Sequence, residues 1–195
     1  AGYYMAKFSS NDVSALIELM KRQLLIRTSQ MLEYSRPLSK QEKENIKFYH
    51  WIYEKDVFLS IKPYAAISKD QEAEYLDYLN GLKGTVGAGA RLASSDKKSK
   101  TVYKRNEKLK GMMSVFGYSY FSDHYDKSKA VPGLMGYSGI LGSGSDYTYE
   151  ALNLVNGKND VNDIRNILSA EFGPVTIEMV IEYLEALESI GVIMK

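Results

Sequence analysis

Cysteine is absent from the 195 residues, which excludes disulfides, thiolate metal ligands and a cysteine nucleophile. The same absence leaves the redox compartment unreadable. Histidine is nearly absent, with only His50 and His124. A zinc site with open coordination draws on several His and carboxylate ligands at fixed positions, and two histidines do not furnish one. No apolar run approaches the ~20 residues that a membrane-spanning helix needs, so no span is expected. The stretch "GTVGAGA" lacks the Lys-Ser/Thr that completes a phosphate cradle. "GYSGILGSGS" sets Ser138 between Tyr137 and Gly139 but misses the Gly-x-Ser-x-Gly spacing of a nucleophile elbow. Asp123-His124-Tyr125-Asp126 is the best metal-like cluster, yet neighbouring residues rarely converge on one ion, and a polar turn is the expectation. His50, beside Trp51 on an apolar helix, reads as a packing histidine. No catalytic, cofactor-binding or metal-binding residue emerges, so this chain is not expected to be an enzyme by itself.

What is present suits a globular fold. Hydrophobic residues make up 45% and charged residues 25%, enough to bury a core without staples. The net charge of +1 conceals an imbalance. Residues 1–144 hold 22 Lys/Arg and 15 Asp/Glu, whereas residues 145–195 hold 3 and 9. The balances are +7 and −6, so the two parts are expected to attract each other or to serve different partners. The opening at Ala1, with no basic stretch leading into an apolar one, reads as a processed chain or, preferably, a region cut from a larger protein.

Hydrophobic spacing predicts three helices in residues 1–83. Ser10 and Asp12 suit a helix start, and Val13, Leu16, Ile17, Met20, Leu24 and Met31 form its stripe up to Arg36-Pro37. Ser39 with Glu42 makes a capping pattern for the second helix, whose expected buried stripe is Ile46, Tyr49, Ile52 and Tyr53, with Pro63 as terminator. Ser68 caps the third, with Ala73, Leu76 and Leu79 inward and a stop at Asn80-Gly81. Residues 84–145 are rich in Gly, Ser and Lys and read as loop, with a short strand in "MMSVFGYSYF" and a linker at Gly142–Ser145.

Residues 146–195 read as a compact module. Tyr149–Val155 makes a short helix, and Asn156-Gly157 turns the chain. Ile164, Ile167 and Leu168 share a face of the next helix. Thr176 caps a third, whose stripe is Val180, Leu184 and Leu187 reinforced by Ile177, Ile181 and Tyr183. Gly191 stops it, and Val192-Ile193 closes as a strand. The fold class expected is therefore mainly α with minor β: a helical segment, then a winged-helix-like module. The stretch "LNLVNGKNDVNDIRNILSAEFGPVTIEMVIEYLEALESIGVI" resembles PqqD-like winged-helix domains in its "GK" turn, its "IRNILSAEFG" helix and its "YLEALESIGVI" ending. It is similar, more closely still, to the C-terminal appendage of some bacterial M28-type zinc aminopeptidases. That resemblance implies a non-catalytic accessory role in a larger bacterial protein, by packing or dimerisation. No position here matches the peptidase zinc ligands, so no catalytic residue carries over.

Two charged features point to partners. A helix that reads DNA needs Lys and Arg, whereas Thr176–Ser189 has none and carries Glu178, Glu182, Glu185 and Glu188 along one face. That row is expected to be solvated or docked on a basic surface. The run Lys97–Lys110 holds seven Lys/Arg, among them Lys97, Lys98, Lys104 and Arg105, with Tyr103 interleaved. It is the alternative: a winged-helix regulator that binds nucleic acid through this run. A weaker option is a carbohydrate- or peptide-binding module using the Tyr118–Tyr125 aromatics. The leading expectation is a protein partner, either a parent catalytic domain or a second copy, met by apolar faces such as Leu16, Met20, Leu24, Ile46 and Tyr53. Nucleic acid is not the expected partner. The compartment stays open between a bacterial cytoplasm and the cell envelope.

Overall fold

The computed structural model describes residues 13–109 and 120–195. The protein is mainly helical with a small two-stranded sheet. It divides into two compact units, residues 1–91 and 92–195. The start signals at Ser10 and Asp12, most of the "MMSVFGYSYF" strand, and Tyr118 lie outside the described residues. The boundary at 91/92 differs from the sequence-based divisions at 83/84 and 145/146, and the reasons are physical.

The first unit is three helices, α1 (Val13–Ser35), α2 (Lys40–Ile61) and α3 (Lys69–Val86), each packed on the other two. The α1 stripe falls where its spacing predicts: Leu16, Ile17, Met20, Leu24 and Met31 are buried. Arg36-Pro37 follows its end directly. Ser39 caps α2 by accepting from the Glu42 amide at 3.2 Å. The α2 stripe, however, is rotated from expectation. Trp51, Glu54, Phe58 and Ile61 turn inward with Ile46, while Ile52 and Tyr53 are 42% and 58% exposed. Phe58 stacks on Tyr75 of α3, with ring centroids 4.2 Å apart. That flat contact uses the Phe58 face of α2, which leaves Ile52 and Tyr53 on the opposite side. Leu16, Met20, Leu24 and Ile46 are spent in this interior, so of the faces expected to meet a partner only Tyr53 is outward.

A polar seam crosses the α1–α2 packing. Glu54 is fully buried and takes a two-pronged pair from Arg27, at 2.6 Å on each oxygen. Thr28 donates to the Leu24 carbonyl at 2.7 Å, so it receives the His50 Nε2–H at 2.9 Å. His50 is thus a packing histidine held neutral. Burial, with Arg27 beside it, lowers its pKa to about 4.

Helix α3 begins with a capping box, Ser68 to Gln71 and back. It does not stop at Asn80-Gly81 but runs to Val86, because Gly81 keeps helical angles and the break comes at Gly87 (φ 103°). The glycine-rich run that follows is pinned, not loose. The Trp51 indole donates to the Gly87 carbonyl at 2.9 Å, and the Ala90 amide donates to the Glu44 carbonyl at 2.9 Å. Between them Gly89 has φ 71°, and a Cβ there would collide with the backbone of Glu44 and Phe48.

The second unit is built on α5 (Gly144–Asn153), α6 (Val161–Phe172) and α7 (Ile177–Ser189), preceded by the short helix α4 (Tyr120–His124). Val180, Tyr183, Leu184 and Leu187 of α7 are completely buried, with Ile164 and Leu168 of α6. Each such side chain contributes about 1.5–3 kcal/mol. Helix α5 starts five residues earlier than the spacing of its apolar residues indicates. Ser143 and Asp146 form its capping box, so Gly142–Ser145 is a helix start, not a linker. Gly144 packs so close to the Met135 carbonyl that a side chain would not fit. A one-turn 3-10 helix at Gly133–Gly136 places Leu134 in the core, and Tyr137 donates to the Pro174 carbonyl at 2.6 Å. From Leu92 on, the described part of the middle of the chain therefore belongs to this unit, while residues 84–91 belong to the first.

The closing strand is β2 (Ile193–Met194), and its partner is β1 (Lys104–Arg105), antiparallel with Lys104 opposite Met194. On its other side the same segment meets the α5–α6 loop: Val161 and Gly157 amides donate to the Thr101 and Tyr103 carbonyls at 3.0 and 3.1 Å. The middle of the basic run, residues 101–106, is thus an extended segment held on both edges.

Two measurements check these assignments. Gly89→Ala is expected to destabilise the first unit by more than about 1 kcal/mol, whereas Gly81→Ala, in open helix, is expected to stabilise it by about 0.5–1 kcal/mol in urea unfolding. His50 gives a pH test. Its folded pKa lies below the unfolded value of 6.5, so the unfolded chain takes the proton first. The contribution present above pH 6.5 is lost as pH falls toward 4, and the urea midpoint is expected to drop across that window. His50→Gln, which titrates in neither state, is expected to show a smaller drop.

Candidate interaction surface on the acidic helix

The four glutamates on α7 have four different surroundings. Thr176 caps the helix by accepting from the Met179 amide at 3.3 Å, and Glu178 sits in the first turn, where a negative charge suits the helix dipole. Glu178 is exposed. Glu182 is exposed as well, and its Oε2 accepts from the Gly133 amide at 3.0 Å. Glu185 pairs with Lys98 at 2.7 Å. Glu188 pairs with Lys195 at 3.0 Å and accepts the Tyr103 hydroxyl at 3.5 Å. The row is neither uniformly solvated nor uniformly docked: its C-terminal half is neutralised within the unit.

The basic run supplies that neutralisation. Asp96 accepts from the Lys98 amide at 2.8 Å and starts a 3-10 turn, Lys97–Lys100, which carries Lys98 to Glu185. That hydrogen-bonded pairing raises the Lys98 pKa. Tyr103 is 3% exposed and belongs to the core. Burial, with Glu188 and Glu185 nearby, pushes its hydroxyl up to about 12. Arg105 donates to the Leu152 carbonyl from Nε and Nη2, at 3.1 and 2.7 Å, and to Asn153 at 3.1 Å. It closes the C-terminal end of α5, where carbonyls lack helix partners. Lys104 lays its stem over Gly157. Lys97, Lys100 and Lys108 remain exposed.

Of the residues singled out by sequence, the structure brings together Lys98 with Glu185. It separates Arg105, which serves α5. Glu178 and Glu182 line a cleft of ≈ 480 Å³ together with Asp96, Lys98, Tyr125, Lys129, Ile181, Glu185, Ala186 and Ser189. Sequence reasoning missed Asp96 and Lys129 and named Tyr125 only for other roles, in the Asp123–Asp126 cluster and among the Tyr118–Tyr125 aromatics. The signal for Asp96 was its position before "KKSK", a capping residue ahead of a turn. Lys129 carries no such signal, since it arrives by tertiary packing.

The polar cluster Asp123–Asp126 is a helix end and turn. His124 stacks on Tyr120, and Asp126 accepts from the Ser128 amide and hydroxyl at 2.9 and 2.7 Å, which lowers its pKa. Among the described residues no group of three His, Asp or Glu is placed to share an ion, and no helix is long and apolar enough to cross a membrane. Comparison of the chain with known protein families, with curated proteins and with solved structures finds no match.

Arg105 and Lys98 are expected to respond differently to removal. Arg105→Ala removes the two guanidinium donors of the Leu152 carbonyl, which keeps the Val155 amide at 3.2 Å, and is expected to destabilise the second unit by about 1 kcal/mol. Lys98→Ala, an exposed ion pair, is expected to shift the unfolding midpoint only slightly. Thermal and urea unfolding of the two variants, side by side, reads the contrast.

Proposed function

We propose that this chain is a non-catalytic accessory region that works by contact with another protein, either a catalytic domain joined to it or a second copy. The observation that carries this reading is the internal use of the cations. Arg105 is committed to the Leu152 carbonyl and Lys98 to Glu185, while the helix that would enter a DNA groove presents Glu178 and Glu182 outward. A nucleic-acid surface needs its Arg and Lys free to meet phosphates, and a carboxylate row repels them. The likeness of Leu152–Ile193 to a winged-helix-like appendage of bacterial zinc aminopeptidases supports a peptidase-associated setting. In that setting the module packs on, or pairs, the catalytic domain and supplies none of its chemistry.

The mass of the chain in solution tests this, by light scattering at low and high salt with and without short duplex DNA. A mass indifferent to DNA at both salt concentrations is the expected result. A monomer that gains mass with duplex only at low salt overturns the reading and moves the assignment to the exposed Lys97, Lys100, Lys104 and Lys108.

A further inference from the structure

We propose that the outer face of α1 is a self-association surface, through which two copies of the chain pair as antiparallel helices about a two-fold axis at position 27. This rests on the reading of the chain as a protein-contact module and chooses the second copy as the partner. Helix α1 carries two stripes. Ile17, Met20, Leu24, Thr28, Met31 and Ser35 are buried in the first unit. On the opposite side Glu18, Arg22, Leu25, Ser29 and Leu32 follow one another at alternating steps of four and three, the spacing of a coiled-coil seam. Arg36 continues that spacing directly after the helix ends. All six are exposed. Leu25 and Leu32 are 47% and 41% exposed, and Ile26 beside them is 48% exposed. One apolar stripe docks a helix in its own unit; the second faces outward.

The order of the charges names the partner. Glu18 and Arg36 lie equally far on either side of position 27, as do Arg22 and Leu32, and Leu25 and Ser29. A two-fold axis there sets Glu18 of each copy opposite Arg36 of the other, so the ion pair forms twice. Arg22 meets Leu32 and its neighbour Glu33, with its stem over the leucine and its guanidinium at the carboxylate. Parallel helices would instead set Glu18 on Glu18 and Arg36 on Arg36. At the centre Leu25 stands against Ser29, which is small and donates its hydroxyl to the Leu25 carbonyl of its own helix at 2.9 Å. Covering it therefore strands no donor. The ion pairs already present give way at little cost. Lys21 holds Glu18 at 3.0 Å but is shared with Glu74, and Arg36 holds Glu33 at 2.9 Å with both side chains in solvent. Four of the six seam positions are polar, which fixes the register and makes the pairing reversible.

Sedimentation equilibrium of the full chain over a concentration series tests this. The mass is expected to rise from 22.0 kDa toward twice that value. Glu18→Arg and Arg36→Glu, each alone, set like charges together at both symmetric contacts and are expected to weaken the dimer about tenfold or more. The two changes combined in one chain put opposite charges back in contact, and its affinity is expected to return to within about threefold of the unaltered chain. Leu25→Ser with Leu32→Ser is expected to leave a monomer. Circular dichroism checks that each variant, changed only at exposed positions, keeps its helix content. A mass that stays at 22.0 kDa at every concentration, a dimer indifferent to the single charge changes, or a combined variant no tighter than the single ones overturns the proposal. If the chain stays monomeric and ignores duplex DNA, this proposal falls and the protein-contact reading stands with a catalytic domain as partner. If the chain is monomeric and gains mass only with duplex DNA, both fall.

Discussion

The segment Thr101–Asn106 is the piece on which the second unit depends. It lies between the α5–α6 loop and β2, with backbone hydrogen bonds to each. It inserts Tyr103 into the core, and it sends Arg105 to the end of α5. Helices α5 to α7 bury one another's apolar faces, but the amides of Gly157 and Val161 find their partners on this segment, and the Leu152 carbonyl gains the Arg105 guanidinium from it. Burying such groups without partners costs about 1–3 kcal/mol each, so the segment is as much a part of the core as the helices.

The same segment explains the charge imbalance. Part of the basic surplus before residue 145 lies in the second unit, where Lys98 meets Glu185 of the acidic part. Lys98 against Glu185 and Tyr103 against Glu188 orient the segment along α7. Exposed ion pairs add little stability, so their work here is register: they decide which carboxylates are covered and which are left outward. The uncovered pair, Glu178 and Glu182, is what gives the α7 surface its character.

Much of this was legible in the sequence where local chemistry decides. The stripe of α1, the caps at Ser39, Ser68 and Thr176, and the buried faces of α6 and α7 follow from period and side-chain type. What was hidden depends on contacts between distant residues. Ile52 and Tyr53 were expected inward because they are apolar, yet the Phe58–Tyr75 stack and the Arg27–Glu54 pair choose the other face of α2. Buried Glu54 runs against pattern, since a carboxylate goes inside only with a partner on another helix. "GTVGAGA" reads as flexible by composition, but its glycines allow close approach to α2. "KTVYKR" reads as a charged loop, although Val102 and Tyr103 are strand formers and alternate sides. The surface carboxylates were legible as a row on one helix face. Their division into paired and unpaired sets was not readable, because it depends on where Asp96 turns the chain.

The pairing of β1 with β2 also imposes an order on folding. Lys104 and Met194 are 90 positions apart, since 194 minus 104 is 90, and the helices that they enclose lie between them. During synthesis the first strand waits for its partner until Ile193 and Met194 have been made. Until then β1 lacks the antiparallel partner on one of its edges, and closing so long a loop is entropically slow. The second unit is therefore poised to be a late folder that acquires its final structure in one cooperative step, whereas α1 to α3 are consecutive helices that assemble as they emerge.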